Sequence, residues 1–242
     1  MTSLRTALIT GGGRGIGKET AILLSKKGLN VIICSRTQEE IDSAVKEIKS
    51  TGNGQIIARK CDVSVSSQVN SLVNEVLEIY GRVDVLINNA GITYVKKLID
   101  TTEEEWDHTL DVNLKAAFLL CKAIVPHMIE SNHGVIINVS SGAGKVGFED
   151  ISAYCASKFG MIGLTESLAR EVANYNIRVM TICPGEVATK MQEDIDTQYY
   201  ELNKHKMLDP RIVAEKIAEM MFNDNDYKNG IAVDLPNWRA IY

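Results

Sequence analysis

The sequence is poor in the residues that build metal sites and disulfide frameworks. It has five cysteines, an odd number, scattered singly and without a C-x-x-C pair: Cys34, Cys61, Cys121, Cys155 and Cys183. Its four histidines, His108, His127, His133 and His205, show no metal-ligand spacing. We therefore expect reduced, mostly buried cysteines in a cytoplasmic protein, and no bound metal.

An excess of positive charge and long apolar runs are also lacking. Twenty-six Lys and Arg stand against 31 Asp and Glu, a net charge of −5, and no basic stripe is visible, which argues against a nucleic-acid partner. No run approaches the roughly 18 apolar residues that a membrane helix needs, and no signal-peptide pattern opens the chain. What remains, 242 residues with 45% hydrophobic and 24% charged, is typical of a globular chain with a sizeable core.

Short apolar runs alternate with helical patterns along the chain. The predicted strands are 6–10, 30–34, 55–60, 83–88, 134–139, 178–182 and 230–234, and the predicted helices are 15–27, 38–51, 66–80, 102–130, 152–174 and 210–222. Several strands are β-branched and apolar throughout, as parallel strands buried on both faces are. The alternation predicts an α/β fold, a Rossmann-type doubly wound parallel sheet of about seven strands with helices on both faces, in a single domain over residues 1–242.

The segment TGGGRGIGKET, residues 10–20, contains a glycine-rich loop that fits two nucleotide-binding patterns. Gly12 and Gly17-Lys18 have the spacing of a triphosphate loop. That pattern needs Ser or Thr after the lysine to hold magnesium, and Glu19 stands there instead. A carboxylate at this position would repel a triphosphate, so the first pattern is disfavoured.

The second pattern is a dinucleotide loop with glycines at Gly11, Gly15 and Gly17. A predicted strand precedes it and a predicted helix follows, so that backbone N–H groups at the helix start face a pyrophosphate. Glycine also lets the backbone approach a ligand without a Cβ in the way. For this loop taken alone, a plain glycine turn is the alternative.

The next predicted strand bears on which dinucleotide is bound. About 20 residues beyond the glycines, an acid would bind the adenosine ribose hydroxyls of NAD. The chain reads Cys34-Ser35-Arg36-Thr37 there, without an acid. Arg36, with Arg14 from the glycine loop, favours a 2′-phosphate and hence NADP(H) over NAD. The alternative is that both arginines are simply solvated.

Further motifs follow in order, nearly all at the carboxyl ends of successive predicted strands, where ligands bind in open parallel sheets. They are Thr10-Gly11-x-x-x-Gly15-Ile16-Gly17, Asp62-Val63, Asn88-Asn89-Ala90-Gly91, Asn113, Ser141, Tyr154-x-x-x-Lys158 and Pro184-Gly185-x-x-x-Thr189. With these motifs the chain resembles the short-chain dehydrogenase/reductase family over nearly its whole length. Each motif alone is weak, but together and in this order they are specific.

The resemblance implies an NADP(H)-dependent oxidoreductase and a cofactor site. It places the pyrophosphate at Gly11, Gly15, Ile16 and Gly17, and the adenine between Asp62 and Val63. The cleft is lined by Asn89, Ala90 and Gly91, and the nicotinamide end is held by Pro184, Gly185, Val187 and Thr189. With Arg14, Ser35 and Arg36 at the 2′-phosphate, and with Tyr154 and Lys158, these complete the expected cofactor-binding residues.

The catalytic side chains are predicted from their chemistry and from the resemblance together. Tyr154 and Lys158 lie four apart on a predicted helix and so share a face. A nearby cation lowers the pKa of a phenol, which suits Tyr154 as general acid or base. Ser141 would hydrogen-bond the substrate oxygen. The resemblance adds that Lys158 binds the nicotinamide ribose and that Asn113 helps hold a water chain for the proton.

Substrate choice is expected to lie in residues 145–152 and in the long patternless segment 188–208, predicted as a loop. Neither is a long apolar lining and neither has an arginine cluster. Many relatives reduce 3-oxoacyl groups on an acidic carrier protein, using basic residues at two helix ends. Asn132 and Tyr175 stand at the corresponding places, which counts against a carrier-protein partner.

The resemblance leaves several alternatives open. The expected substrate is a ketone or secondary alcohol, possibly a 3-oxoacyl thioester, and otherwise a small carbonyl, sugar or polyol. A remote alternative is a non-catalytic protein that senses NADP. The family implies a homotetramer, but the carboxyl terminus departs from the usual pattern at Leu235-Pro236-Asn237-Trp238. A homodimer through the helices 102–130 and 152–174 is the second candidate.

Overall fold

The computed structural model describes residues 5–223 and 226–235. Its strands are β1 (Thr6–Thr10), β2 (Asn30–Ser35), β3 (Ile56–Lys60), β4 (Val85–Asn88), β5 (Gly134–Val139), β6 (Ile177–Cys183) and β7 (Ala232–Asp234). All pair in parallel in one sheet of order β3-β2-β1-β4-β5-β6-β7. The predicted strands are confirmed with ends that differ by one or two residues.

Helices connect the strands. They are α1 (Gly15–Lys26), α2 (Gln38–Thr51), α3 (Ser66–Tyr80), α4 (Glu103–Leu110), α5 (Ala116–Glu130), α6 (Ser152–Glu171), α7 (Lys190–Ile195), α8 (Thr197–Asn203) and α9 (Pro210–Phe222). Short 3₁₀ turns lie at Leu98–Asp100 and Gly142–Gly144.

Alternate residues of each strand enter two separate cores. In β1, Ile9 packs on the face covered by α1, α2 and α9, whereas Leu8 packs on the face covered by α3, α5 and α6. Both side chains are fully buried. Because both faces are covered, the strands are apolar throughout rather than alternating. This is the Rossmann-type doubly wound sheet that the sequence predicted.

The predicted loop 188–208 is wrong in detail, because it contains α7 and α8. Each helix is short and stabilised locally. The Lys190 ammonium lies 3.0 Å from Asp194 and 3.3 Å from Glu193, one turn along α7. Asp196 caps α8 by accepting a 2.8 Å hydrogen bond from the Tyr199 N–H. Neither helix has a buried residue, so no apolar periodicity marks either one in the sequence.

The predicted helix 102–130 contains a π-turn, Asp111–Lys115, between α4 and α5. By length and composition alone the run Glu103–Glu130 would suffice to cross a membrane. Its side chains Leu120, Ile124 and Met128 are buried in the core formed with β4 and β5. These contacts are those of a core helix.

The carboxyl terminus is described only as far as Leu235, which is buried next to β7. The predicted departure from the family pattern at Pro236-Asn237-Trp238, and with it the tetramer contacts of that region, lies outside the described residues.

Candidate active site

The strand order brings the carboxyl ends of the strands to one edge of the sheet. The chain runs outward from β1 to β3 and then returns to the other side of β1 at β4. A crevice forms where the direction of winding reverses, and this is where open α/β sheets bind ligands. The cleft here has a volume of about 490 Å³. All the predicted site residues line it except Gly17 and Asn113.

The glycine loop has the geometry of an anion cradle. Gly11 and Gly15 adopt positive φ angles of 64° and 54°, which side chains disfavour. A Cβ on Gly17 would lie 2.4 Å from the Gly11 carbonyl oxygen, so only a residue without a side chain fits there. Gly17 packs against the back of the glycine loop and does not line the cleft. Helix α1 has no acid in its first turn and no side-chain cap. Its first N–H groups therefore remain free to bind a phosphate.

Thr10 joins the glycine loop to the end of β4. Its hydroxyl oxygen accepts hydrogen bonds from the N–H groups of Asn89 at 2.9 Å and Ala90 at 3.0 Å. The Asn89 amide in turn donates to the Thr10 carbonyl at 2.9 Å. The start of the glycine loop and the segment after β4 are therefore held together by the side chains of Thr10 and Asn89. Each side chain bonds to the backbone of the other segment. The sequence contained Thr10 within the glycine motif, but nothing in it indicated this function.

The two arginines that line the cleft, Arg14 and Arg36, differ in their partners. The Arg14 guanidinium lies 3.2 Å from Glu40 and 3.7 Å from Asp194, so its charge is shared with two carboxylates. Arg36 contacts His108 Nε2 at 3.4 Å. Within the described residues no carboxylate lies within ion-pairing distance of Arg36. Of the two, Arg36 is therefore the cation that is free for a ligand.

Asp62 lies beside this cation after β3. Its carboxylate accepts hydrogen bonds from the Ser64 N–H at 3.0 Å and from the Ser64 hydroxyl at 2.6 Å. Burial raises the pKa of Asp62, but the Ser64 hydrogen bonds and the charges of Arg36 and His108 outweigh burial, so the pKa is lowered. Asp62 is therefore a stable anion and a hydrogen-bond acceptor.

Helix α6 presents Tyr154 and Lys158 to the cleft. Lys158 is only 3% exposed, and its ammonium donates a 2.8 Å hydrogen bond to the Val139 carbonyl at the end of β5. The same ammonium lies 5.4 Å from the centre of the Tyr154 ring. A buried cation thus stands beside the phenol, as the i, i+4 spacing predicted.

The expected lowering of the Tyr154 pKa is not found. Burial raises the pKa of Tyr154 to about 12, although a hydrogen bond with Ser141 acts in the opposite direction. Burial also lowers the pKa of Lys158 to about 8. The reason is that the apolar surroundings disfavour both charged forms, and the Lys158 ammonium bonds to a carbonyl rather than to the phenol.

Ser141 lies between β5 and α6, where its hydroxyl accepts a 3.1 Å hydrogen bond from the Ala143 N–H. Its hydrogen bond to Tyr154 places two hydroxyls next to each other in the cleft wall. The arrangement suits the stabilisation of a developing oxyanion.

Asn113 occupies the π-turn and is buried behind the cleft. Its side-chain oxygen accepts from the Ile92 N–H at 2.8 Å, and its amide donates to the Ile92 carbonyl at 2.9 Å and to Ser157 at 3.0 Å. Ser157 donates to the Tyr154 carbonyl at 2.7 Å. Asn113 therefore fixes the segment after β4, where Gly91 lies close to Lys158, and the predicted water chain stays a prediction.

Sequence reasoning missed part of the wall beyond the catalytic groups. Phe148 and Ile151 were among the residues expected to select the substrate. The wall also contains Val95 after β4 and Glu186 after β6, which no motif indicated. With Met191 and Ile195 of α7, most of this end of the cleft is apolar.

Comparisons with known proteins agree with this geometry. The model of the short chain dehydrogenase family matches residues 5–200. The chain belongs to the short-chain dehydrogenase family. Among curated relatives, 3-oxoacyl-[acyl-carrier-protein] reductase of Thermotoga maritima is 36% identical over 236 residues, 96% of each protein. The enzyme of that name from Synechocystis is 37% identical over 201 residues, 82% of this chain and 81% of the relative.

Two solved structures extend the comparison. Levodione reductase superposes with a TM-score of 0.90 at 29% identity, over 96% of this chain and 95% of that one. A variant of actinorhodin polyketide ketoreductase, solved with NADPH, has a TM-score of 0.89 at 30% identity over 97% of both chains. Family membership implies oxidoreductase chemistry with a nicotinamide cofactor, and the glycine cradle fits such a dinucleotide.

The Thr10 contacts generate a prediction about stability. Thr10→Val keeps the shape but leaves two partly buried N–H groups, those of Asn89 and Ala90, without an acceptor, so the free energy of unfolding should fall by about 1–3 kcal/mol. Urea denaturation measures the change. Thr10→Ser, which keeps the hydroxyl, is the control and should lose less. Equal stability of Thr10→Val and the wild type would contradict the proposed importance of these bonds.

Proposed function

We propose that the protein is an NADP(H)-dependent ketoreductase, which transfers a hydride between the nicotinamide and a ketone or secondary alcohol. The observation that carries the proposal is the juxtaposition of Ser141, Tyr154 and buried Lys158 in one cleft with an anion cradle. When bound, the cofactor supplies or accepts the hydride. The protein's own residues bind, orient and move the proton.

In the reduction direction, Tyr154 donates its phenolic proton to the carbonyl oxygen. Its raised pKa keeps the proton in place at neutral pH. The Ser141 hydroxyl binds the same oxygen, and the Lys158 ammonium stabilises the phenolate that forms. Lys158 is also proposed to hold the nicotinamide ribose, next to Pro184, Gly185, Val187 and Thr189 at that end of the cleft.

Arg36 supports NADP(H) as the cofactor. It follows β2, where a carboxylate would bind the ribose of NAD, and its guanidinium has no carboxylate partner among the described residues. Asp62, Val63 and the 89–91 segment are proposed to hold the adenine and the middle of the dinucleotide. One of the solved relatives was crystallised with NADPH, in agreement with this choice.

We propose a substrate of the chemical classes on which relatives of this family act. The curated relatives are named as 3-oxoacyl-[acyl-carrier-protein] reductases, and a 3-oxoacyl thioester is therefore one candidate. A small carbonyl, sugar or polyol is the second. Assaying NADPH oxidation against a panel of ketones distinguishes these candidates, and turnover of any ketone excludes a protein that only senses the cofactor.

A single domain over residues 1–242, a cytoplasmic location and a homo-oligomer complete the proposal. Phe118 on α5 and Phe159 on α6 are each 46% exposed, on the two helices predicted to form a dimer contact. Exposed aromatic side chains of this kind favour an interface. Sedimentation equilibrium distinguishes a monomer, a dimer and a tetramer. A monomer would contradict the proposed homo-oligomer.

Tyr154→Phe removes the proton donor and leaves the ring in place. We expect kcat to fall at least about 100-fold, the usual contribution of general acid catalysis, while NADPH still binds. Steady-state kinetics and fluorescence titration with NADPH measure the two effects. Tyr175→Phe changes a tyrosine outside the cleft and should keep full activity. Full activity of Tyr154→Phe would mean that another group supplies the proton.

Arg36→Asp tests the cofactor preference. Loss of charge-assisted hydrogen bonds to the 2′-phosphate should weaken NADPH binding by roughly 10- to 100-fold, with a gain for NADH. The ratio of kcat/KM for the two cofactors is the measurement. Lys60→Asp makes the same change of charge at an exposed lysine at the end of β3. It is the control for an effect of net charge alone. An unchanged ratio in Arg36→Asp would refute the assignment of that arginine.

The pKa values predict an alkaline limit near pH 8 for ketone reduction. Tyr154, with a pKa of about 12, stays protonated there, whereas Lys158, with a pKa of about 8, loses its charge as the pH rises. The phenolate that forms on proton transfer then lacks its stabilising cation, so kcat for reduction should decline. A pH profile at saturating NADPH measures this, and a rate that rises through pH 8 would contradict the assignment.

A further inference from the structure

The cleft wall beyond Ser141 and Tyr154 lies outside the family motifs, and its side chains bear on which substrate the cleft can bind. It comes from three separate segments. Val95 follows β4, Phe148 lies in the segment before α6, and Met191 and Ile195 lie on α7. Each of these side chains is apolar. A substituent of the ketone that lies against these four side chains therefore loses water without gaining a polar partner from them, which favours apolar groups. Thr93 and Gln192 are uncharged polar residues of the same segments that also line the cleft.

Two charged residues line this part of the cleft besides the catalytic Lys158, and they differ in their partners. The Lys190 ammonium lies 3.0 Å from Asp194 and 3.3 Å from Glu193. Its charge is therefore already compensated within α7. Glu186 has no Lys or Arg within ion-pairing distance among the described residues. Its carboxylate instead accepts a 3.2 Å hydrogen bond from the Tyr199 hydroxyl on α8.

The Tyr199 phenol responds to this carboxylate. Burial and the negative charge of Glu186 raise the pKa of Tyr199, so the phenol stays neutral and continues to donate its proton to Glu186. The hydrogen bond from Tyr199 thus fixes the orientation of the Glu186 carboxylate without neutralising its charge. Glu186 lines the same cleft as Tyr154, directly after Pro184-Gly185, the segment proposed to hold the nicotinamide end.

We propose that the substrate is an uncharged ketone with apolar substituents, and that Glu186 is the specificity-determining residue that excludes ketones bearing a carboxylate or phosphate. The inference rests on the proposed function and adds the substrate class. Among the described residues, an anionic group at this wall would meet the uncompensated Glu186 carboxylate and no unpaired cation except the Lys158 ammonium, which is bonded to the Val139 carbonyl. Rejection by an unpaired like charge is a common source of specificity.

Three ketones of one carbon skeleton test the proposal with the wild-type enzyme: ethyl 3-oxobutanoate, 3-oxobutanamide and 3-oxobutanoate. The amide and the anion have nearly the same shape and differ in charge. We expect kcat/KM to decrease in the order ester, amide, anion, with the anion roughly tenfold below the amide for one unscreened charge. An anion that is reduced as well as the amide overturns the proposal.

The variant Glu186→Gln tests the residue itself. It keeps an acceptor for Tyr199 and removes the charge, so the amide-to-anion ratio of kcat/KM should fall by roughly tenfold. Glu78→Gln removes an exposed acid on α3, outside the cleft, and should leave the ratio unchanged. An unchanged ratio in Glu186→Gln, or an equal change in Glu78→Gln, overturns the role of Glu186. Should Glu186→Gln not fold, the wild-type ranking still decides the substrate class.

Failure of this proposal is distinguishable from failure of the proposed function. If the wild type reduces the anion as fast as the neutral ketones, the ketoreductase assignment stands and the charge selection is wrong. If NADPH and NADH are oxidised neither with these three ketones nor with any other ketone of the panel, the ketoreductase assignment itself is contradicted.

Discussion

The attachment of α6 to the end of β5 is the constraint on which the site depends. The Lys158 ammonium donates to the Val139 carbonyl at 2.8 Å, and the Ser140 hydroxyl donates to the Lys158 carbonyl at 3.0 Å. Farther along the helix, Thr165 accepts from the Asn138 amide at 2.8 Å. These buried polar bonds hold α6 at one distance and rotation relative to the strand. Because Ser141 follows β5 directly, its hydroxyl and the Tyr154 phenol meet only if this attachment holds.

The rest of the cleft is built in two parts with different origins. The cofactor side comes from the ends of neighbouring strands, where the register of the sheet fixes the spacing of the loops. The substrate side comes from the segment before α6 and from α7 and α8, which no strand pairing fixes apart from the bridge between Val187 and Leu208. Chemistry and substrate choice are therefore separable in this fold, and the second can differ among relatives that share the first.

Much of the fold and of the cofactor side could be predicted from the sequence, because both follow from local patterns. Buried parallel strands read as apolar runs, and the motifs fall at their ends. The features that were missed depend on three-dimensional surroundings. The helices α7 and α8 lack a buried face, and the π-turn at Asn113 follows no Gly or Pro. The pKa of Tyr154 depends on burial, which the i, i+4 spacing to Lys158 does not reveal.

The buried ammonium of Lys158 also affects the stability of the whole protein. The pKa of this lysine falls from 10.5 to about 8 in the folded state. At neutral pH the folded chain holds this proton less tightly than the unfolded chain, a penalty of about 3 kcal/mol. The penalty disappears as the pH rises from about 8 to 10.5. At neutral pH the protein thus gives up part of its folding free energy to keep this ammonium buried beside the Tyr154 ring.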